Sequence, residues 1–426
     1  MRADEVRGLG ELGRLALRGT TTRIAEVHRG ISDRVFRAVG PAGAPVKAVH
    51  DAVSGFAYGS VRLALGAGAR GAGVVGALRA DGAPVDSGRA GNVLGVLHGA
   101  HGDLVAATAP ALAGEMSVRV DGRAVPLTSS ALAAAIPGAS GRLVVLLHGL
   151  VETEAAWRYH SERHHGAAGT TYGTLLEREL GLTPVFLRYN TGRHISDNGR
   201  ALDALMASLV EAWPVPVQDV VLVGHSMGGL VARAALHLAG SGTPDARPWT
   251  AFVRDTVTLG TPHLGAPLER GAHLLTHALT RLPETRPLAA LLALRSVGIK
   301  DLRRGTLVEE DWTGRDLDAR DPAPHTHVPL ADGARHFVVL ATLARDPEGR
   351  AADLLGDLLV MPRSAAGDTG GDDRLAFPPD AVARLGGLHH LDLLNHPRVY
   401  EQLRRWLVER PEGPRPAAPA VCATPP

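Results

Sequence analysis

The segment Val221-Leu222-Val223-Gly224-His225-Ser226-Met227-Gly228-Gly229-Leu230 constrains the fold of this chain more than any other. An apolar run suited to a buried strand ends in Gly-His-Ser-Met-Gly, and small or apolar residues follow at helical spacing (Val231, Ala232, Ala234, Ala235, Leu236). The pattern predicts a strand that turns sharply into a helix with Ser226 at the apex. Such a turn strains the serine backbone, so its neighbours must be small, and glycines stand on both sides. The geometry lifts Ser226 Oγ clear of the sheet and sets a helix N-terminus behind it, where developing negative charge is stabilised.

The surrounding sequence agrees with a sheet covered by helices. Buried-strand runs at 143–147, 185–189, 220–223, 256–259 and 336–342 alternate with helical patterns. That alternation predicts an α/β fold with a mostly parallel, doubly wound sheet. Before it, 116–120 and 123–127 flank Asp121-Gly122, the favoured pair for a tight hairpin turn. A helix carries Leu202, Leu205 and Leu209 on one face, with Ser196 as its expected cap and Pro214 as its stop.

Three further parts fall outside that rhythm. Residues 1–113 read as a helical N-terminal extension, because Ile24, Val27, Ile31 and Val35, then Val46, Val49 and Val53, repeat at helical spacing. Arg23, Arg29, Arg34 and Arg37 decorate the first helix. A solvated basic face packed beside the catalytic domain is the favoured reading, and peripheral membrane contact is the alternative. Within the main domain, 114–410, the interval 265–335 breaks the alternation with Leu274, Leu275, Leu279 and Leu282 and reads as an inserted helical cap or lid. The Pro/Ala-rich tail at 411–426 reads as disordered.

Bulk properties narrow the function classes. The net charge of +1 over 426 residues gives no basis for nucleic-acid capture. A hydrophobic share of 45% with 21% charged residues suits a soluble globular protein. The single cysteine, Cys422, rules out an intramolecular disulfide. The charged N-terminus is followed by no apolar signal region, and the least polar stretch, 61–78, is interrupted by Arg62 and Arg70. A spanning helix needs roughly 18 uninterrupted apolar residues, so the expected location is cytoplasmic, with membrane association peripheral if present.

A serine hydroxyl is a poor nucleophile unless a base lies within hydrogen-bonding reach and an acid orients that base. In doubly wound hydrolases the chain order is serine, acid, histidine. His390, in Gly387-Leu388-His389-His390-Leu391, follows a strand at 382–385 and is the chosen base, with His389 its neighbour and competitor. Asp357 is the best-placed acid, with Asp346 the main rival and Asp353 and Asp372 behind. The backbone amides of Met227 and Leu150 are the expected oxyanion donors, and His148 is expected to organise the loop. His160, His164 and His165 near Glu162, and His325 near His327, match no zinc spacing and read as solvated loops. No metal or other cofactor is called for.

Taken together, Leu147-His148-Gly149-Leu150, Gly224-His225-Ser226-Met227-Gly228-Gly229, Gly260-Thr261-Pro262-His263-Leu264-Gly265-Ala266-Pro267 and His390-Leu391 resemble an α/β-hydrolase lipase or esterase. The chain is most similar to bacterial lipases related to the GPI inositol-deacylase group, over about residues 115 to 410. Arg188-Tyr189-Asn190-Thr191-Gly192, followed by Asn198-Gly199, and the Gly356-Asp357 to Ser364 segment share in that resemblance. It implies a Ser226, Asp357, His390 triad, an acyl-enzyme, and an acyl ester or lipid substrate. Acyl transfer or thioester cleavage on the same triad, and a non-catalytic binding protein on a hydrolase scaffold, are the alternatives.

Overall fold

The computed structural model describes residues 1–40, 44–78, 88–240, 248–265, 295–317, 326–349, 352, 356–357, 359–368, 370 and 374–408. An eight-stranded sheet runs in the order β2-β1-β4-β3-β5-β6-β7-β8. Its strands are β1 (Ser117–Val120), β2 (Arg123–Ala124), β3 (Arg142–Leu147), β4 (Thr183–Arg188), β5 (Asp219–His225), β6 (Val253–Leu259), β7 (Arg335–Thr342) and β8 (Val382–Gly386). β1 pairs antiparallel with β2 and β4, and every other pairing is parallel. The Asp121-Gly122 turn joins β1 and β2 with both residues at positive φ, +50° and +76°, as a type I′ hairpin requires.

The helices are α1 (Ala3–Val39), α2 (Ala44–Ala77), α3 (Gly88–Thr108), α4 (Ser129–Ala135), α5 (Ser161–His165), α6 (Tyr172–Leu180), α7 (Ile195–Ala212), α8 (Met227–Gly240), α9 (Val297–Leu302) and α10 (Pro397–Val408). The central strands are apolar on both faces because each face is covered. Leu143, Val145 and Leu147 of β3 share a core with Leu202, Met206 and Leu209 of α7 and Leu230 and Val231 of α8. Val144 and Leu146, which point the other way, pack with Leu176 of α6 and Val399, Leu403 and Leu407 of α10. The loops at the carboxyl ends of β3, β5, β6, β7 and β8 gather at one edge, where open α/β sheets hold their sites.

Two local expectations are corrected. Ser196 does not cap α7: it lies inside the helix and its Oγ accepts from Trp312 Nε1 at 2.9 Å. The first amide of α7, Ile195 N–H, is taken instead by the distant Asp301 Oδ2 at 2.9 Å, a partner no local pattern reveals. His164 and His165 are not in a solvated loop but in the short helix α5, where both rings reach the Asn395 carbonyl, at 3.0 and 3.1 Å. Residues 266–294 and 318–325, the greater part of the expected cap, and the tail 411–426 lie outside the described residues. Among the described residues no helix is long and apolar enough to cross a membrane.

The N-terminal helices are built into the rest of the molecule through α3. Asn190 Nδ2 donates to Gly102 O (3.0 Å) and Ala113 O (2.7 Å), and Ser296 Oγ donates to Gly99 O (2.6 Å). Thr153 Oγ1 donates to Asn92 Oδ1 at 2.8 Å. A Cβ on Gly99 would sit 2.9 Å from both Cα and N of Val151, so only glycine allows α3 to lie this close to the loop after β3. Gly99→Val is expected to lower the unfolding free energy by about 1–3 kcal/mol, the usual cost of overpacking. Urea unfolding checks this; an unchanged midpoint would mean that α3 does not rest on the loop.

Candidate active site

Ser226 lies between the last residue of β5 and the first of α8, with φ at +51°. A left-handed backbone at a non-glycine residue costs of order 1–3 kcal/mol and persists only where its surroundings impose it. Here the Ser226 amide donates to Leu259 O of β6 at 2.9 Å, which carries the parallel ladder one residue past the strand. Close approach completes the constraint. A Cβ on Gly224 would lie 2.6 Å from Gly228 C, and one on Gly228 would lie 2.7 Å from His148 O. Strand, helix and the loop after β3 can converge only because these positions carry no side chain.

The imidazole arrives from the loop after β8. His390 Nδ1 lies 2.6 Å from Asp357 Oδ2, and both residues are buried. Because a carboxylate accepts, the proton of this contact sits on Nδ1, which leaves Nε2 with its lone pair free. The other carboxylate oxygen, Oδ1, accepts from the Leu359 and Val360 amides at 3.0 and 2.8 Å, which fixes its plane. The His390 amide also donates to Asp357 O at 3.1 Å, so acid and base loops are tied twice. The His390 ring stands against Gly260, at the end of β6, with its centroid 4.7 Å from that of His225. No hydrogen bond joins Ser226 Oγ to His390 in this structure; such bonds commonly tighten only when substrate is bound.

The rival residues are placed elsewhere. His389 is 40% exposed at its side chain and pairs with Asp392 at 3.3 Å. Asp346 Oδ1 accepts from the Glu348 amide in its own turn, at 3.1 Å. Asp353 and Asp372, like His325, lie outside the described residues. Among the described residues no group of three potential ligands is placed to hold a metal ion.

On the opposite side of the serine, a Cβ on Gly149 would lie 3.1 Å from Ser226 Cβ. The amides of Leu150 and Met227 donate to no group among the described residues. His148 organises this loop: it stacks on Tyr189 at 4.4 Å, and Tyr189 OH donates to His148 O at 2.6 Å. Thr191 Oγ1 accepts from the Val151 amide at 3.3 Å, so 189–191 forms the backing of the loop. Val151 itself is held at φ +59°.

Other residues contribute beside the predicted ones, and Glu152 carries no motif that sequence reasoning could use. Glu152 Oε2 accepts from the Gly149 amide at 2.6 Å and lies 3.1 Å from His225 Nδ1. Arg233, on α8, approaches Val328 O and His263 Nδ1, and burial pushes its guanidinium down to about 10. Ser364 Oγ donates to Gly265 O at 2.7 Å, joining the acid loop to the Gly260–Gly265 segment. Their only signal in sequence is that Arg233, His263 and Ser364 sit in or beside the resembling segments.

Residues 139–328 match the model of the family described as PGAP1-like alpha/beta domain. No curated protein sequence matches the chain. Among solved structures, the mature lipase BlEst2 of Bacillus licheniformis is similar at 18% identity over 62% of this chain and 91% of that chain, with a TM-score of 0.40. EstA from Clostridium botulinum is similar at 14% identity over 64% and 88%, with a TM-score of 0.36. Lipase 1 from Pelosinus fermentans is similar at 14% identity over 64% and 100%, with a TM-score of 0.34. The strand order and the serine turn of this chain, with the family match, make the fold that of an α/β-hydrolase.

Gly260 tests the packing around the imidazole. It sits at φ +59°, and a Cβ there would lie 3.1 Å from His390 Cε1 and 2.7 Å from Leu393 Cδ1. Gly260→Ala is expected to destabilise the protein by about 1–3 kcal/mol through strain and overlap. The same change is expected to displace the His390 ring, visible as a shifted imidazole NMR resonance. A wild-type resonance and midpoint would contradict this placement.

Proposed function

We propose that this protein is a serine ester hydrolase acting through an acyl-enzyme, with Ser226 as nucleophile, His390 as general base and Asp357 as the acid that orients it. The reading is carried by one observation: a buried 2.6 Å Asp357–His390 pair lies beside a serine held in the left-handed turn that follows β5. His390 takes the Ser226 proton as Oγ attacks the ester carbonyl, and Asp357 stabilises the imidazolium. The Leu150 and Met227 amides receive the oxyanion, and His390 returns the proton to the departing alcohol. Water then repeats the cycle on the acyl-enzyme, with no cofactor.

The substrate is an acyl ester or lipid, and the acyl chain is assigned to the cap containing Leu274 to Leu294, which lies outside the described residues. Helix α2 and the residue after it are assigned a peripheral membrane contact: Leu63 and Leu78 are 76% and 83% exposed. Residues 52–78 also carry two arginines and no acidic residue, a pattern suited to an anionic lipid surface. The same acyl-enzyme released by another alcohol or a thiol would make the protein an acyltransferase, and a thioester donor would make it a thioesterase.

Hydrolysis of p-nitrophenyl esters from acetate to palmitate is expected to depend on Ser226, with turnover abolished in Ser226→Ala. Asp357→Asn is expected to lower kcat roughly 10⁴-fold, because the wrong imidazole tautomer is then favoured. Wild-type turnover in folded Ser226→Ala would overturn the assignment.

A further inference from the structure

The serine motif contains a histidine, His225, that takes no part in the triad, yet it is fully buried directly behind the nucleophile. Its two ring nitrogens face two acceptors. Nδ1 lies 3.1 Å from Glu152 Oε2, and Nε2 lies 3.2 Å from the His390 carbonyl oxygen. A carbonyl can only accept, so Nε2 must carry a proton. Glu152 Oε2 also accepts the Gly149 amide at 2.6 Å. An ionised carboxylate can only accept too, so the arrangement is complete when both nitrogens of His225 are protonated.

We propose that Glu152 and His225 are a positioning pair, a buried carboxylate and imidazolium that lock the oxyanion loop, the serine turn and the base loop into one unit. The chain runs from the Gly149 amide through Glu152 and His225 to the His390 carbonyl, and from the His390 amide to Asp357 O at 3.1 Å. Gly149 is the residue before the Leu150 donor, His225 the residue before the nucleophile, and His390 the base itself. One pair thus fixes the backbone at all three parts of the site named above, and the proposal rests on that reading of the site.

The electrostatics explain why the pair is needed as a pair. A lone carboxylate at Glu152 would oppose negative charge developing on the substrate oxygen a few residues away. Beside a charged His225 it is neutralised and leaves the amide dipoles to act. Burial pushes the Glu152 carboxyl up, but the His225 charge and hydrogen bond and the Gly149 amide hold it below its usual 4.5. Burial likewise pushes His225 down, but the Glu152 charge and hydrogen bond and the His390 carbonyl outweigh it and hold the ring above 6.5. Both directions favour the charged pair. The groups facing it are Glu152, Asp357 and His390 around His225, and His148 beside Glu152. The His225 contribution is therefore present below pH 6.5 and is lost as pH rises through its raised value. The Glu152 contribution is present above pH 4.5 and is lost as pH falls through its lowered value.

The test has one arm that needs no activity. In the full chain labelled with ¹⁵N-histidine, His225 is identified by the signal missing from His225→Gln. Both its ring nitrogens are expected to be protonated at neutral pH, and Glu152→Gln is expected to convert the ring to a neutral tautomer. A neutral His225 in the wild type would overturn the proposal. The second arm is kinetic. Glu152→Ala is expected to lower kcat roughly 10- to 100-fold with KM within about threefold, since a misplaced oxyanion donor costs the transition state rather than binding. Glu152→Gln, which keeps the acceptor for Gly149, is expected to recover part of that loss and to shift the alkaline limb of the kcat profile. Folded Glu152→Ala with wild-type kcat and pH profile would overturn the proposal as well. If the wild type turns over no ester, the hydrolase reading fails, and the NMR arm alone decides the pair.

Discussion

The left-handed turn at Ser226 is the constraint on which the rest of the site depends. The strain is held by the Ser226 amide on Leu259 O and by glycines at 224 and 228, where any Cβ would meet the neighbouring backbone. Releasing the turn would let the hydroxyl fall back toward the sheet and would separate Met227 from its place at the start of α8. The parallel register of β5 on β6 thus sets not only where the serine is but also where the Met227 amide is.

Around that turn the molecule assembles from distant parts of the chain. Asp357 comes from beyond β7 and His390 from beyond β8, and one backbone and one side-chain bond between them make them one piece. Leu150 belongs to the loop after β3, which is held by Glu152 and by 189–191. It is also held from outside by α3, whose Gly99 meets Val151. The N-terminal helices lie outside the family match, which starts at residue 139, yet one of them, α3, rests on the loop after β3. In this chain α3 is packed against the loop after β3 rather than standing apart from it.

Much of this was legible in sequence because local chemistry dictates it. The serine turn, the Asp121-Gly122 hairpin and the alternation of buried runs with helices each follow from glycine placement and hydrophobic period. What was not legible depends on side chains meeting across long separations. Asp301 takes the helix-start role that Ser196 was expected to fill, because tertiary packing carries a stronger acceptor to the Ile195 amide. Asp357 and Asp346 look alike in sequence, and only the turn at Gly356, with φ at +52°, brings one of them back onto the imidazole. Glu152 looks like any surface glutamate until β3 and β5 are set side by side. The setting of the α5 histidines is hidden for the same reason, since their acceptor, Asn395, is 231 residues from His164 and 230 from His165.

The most direct test of the central claim is the site of labelling by a fluorophosphonate probe, which reports whether Ser226 is an activated nucleophile. One covalent adduct is expected, located by peptide mass spectrometry on Ser226, with its rate of formation falling sharply in His390→Ala. Absence of an adduct on folded protein, or an adduct on another serine, would contradict it.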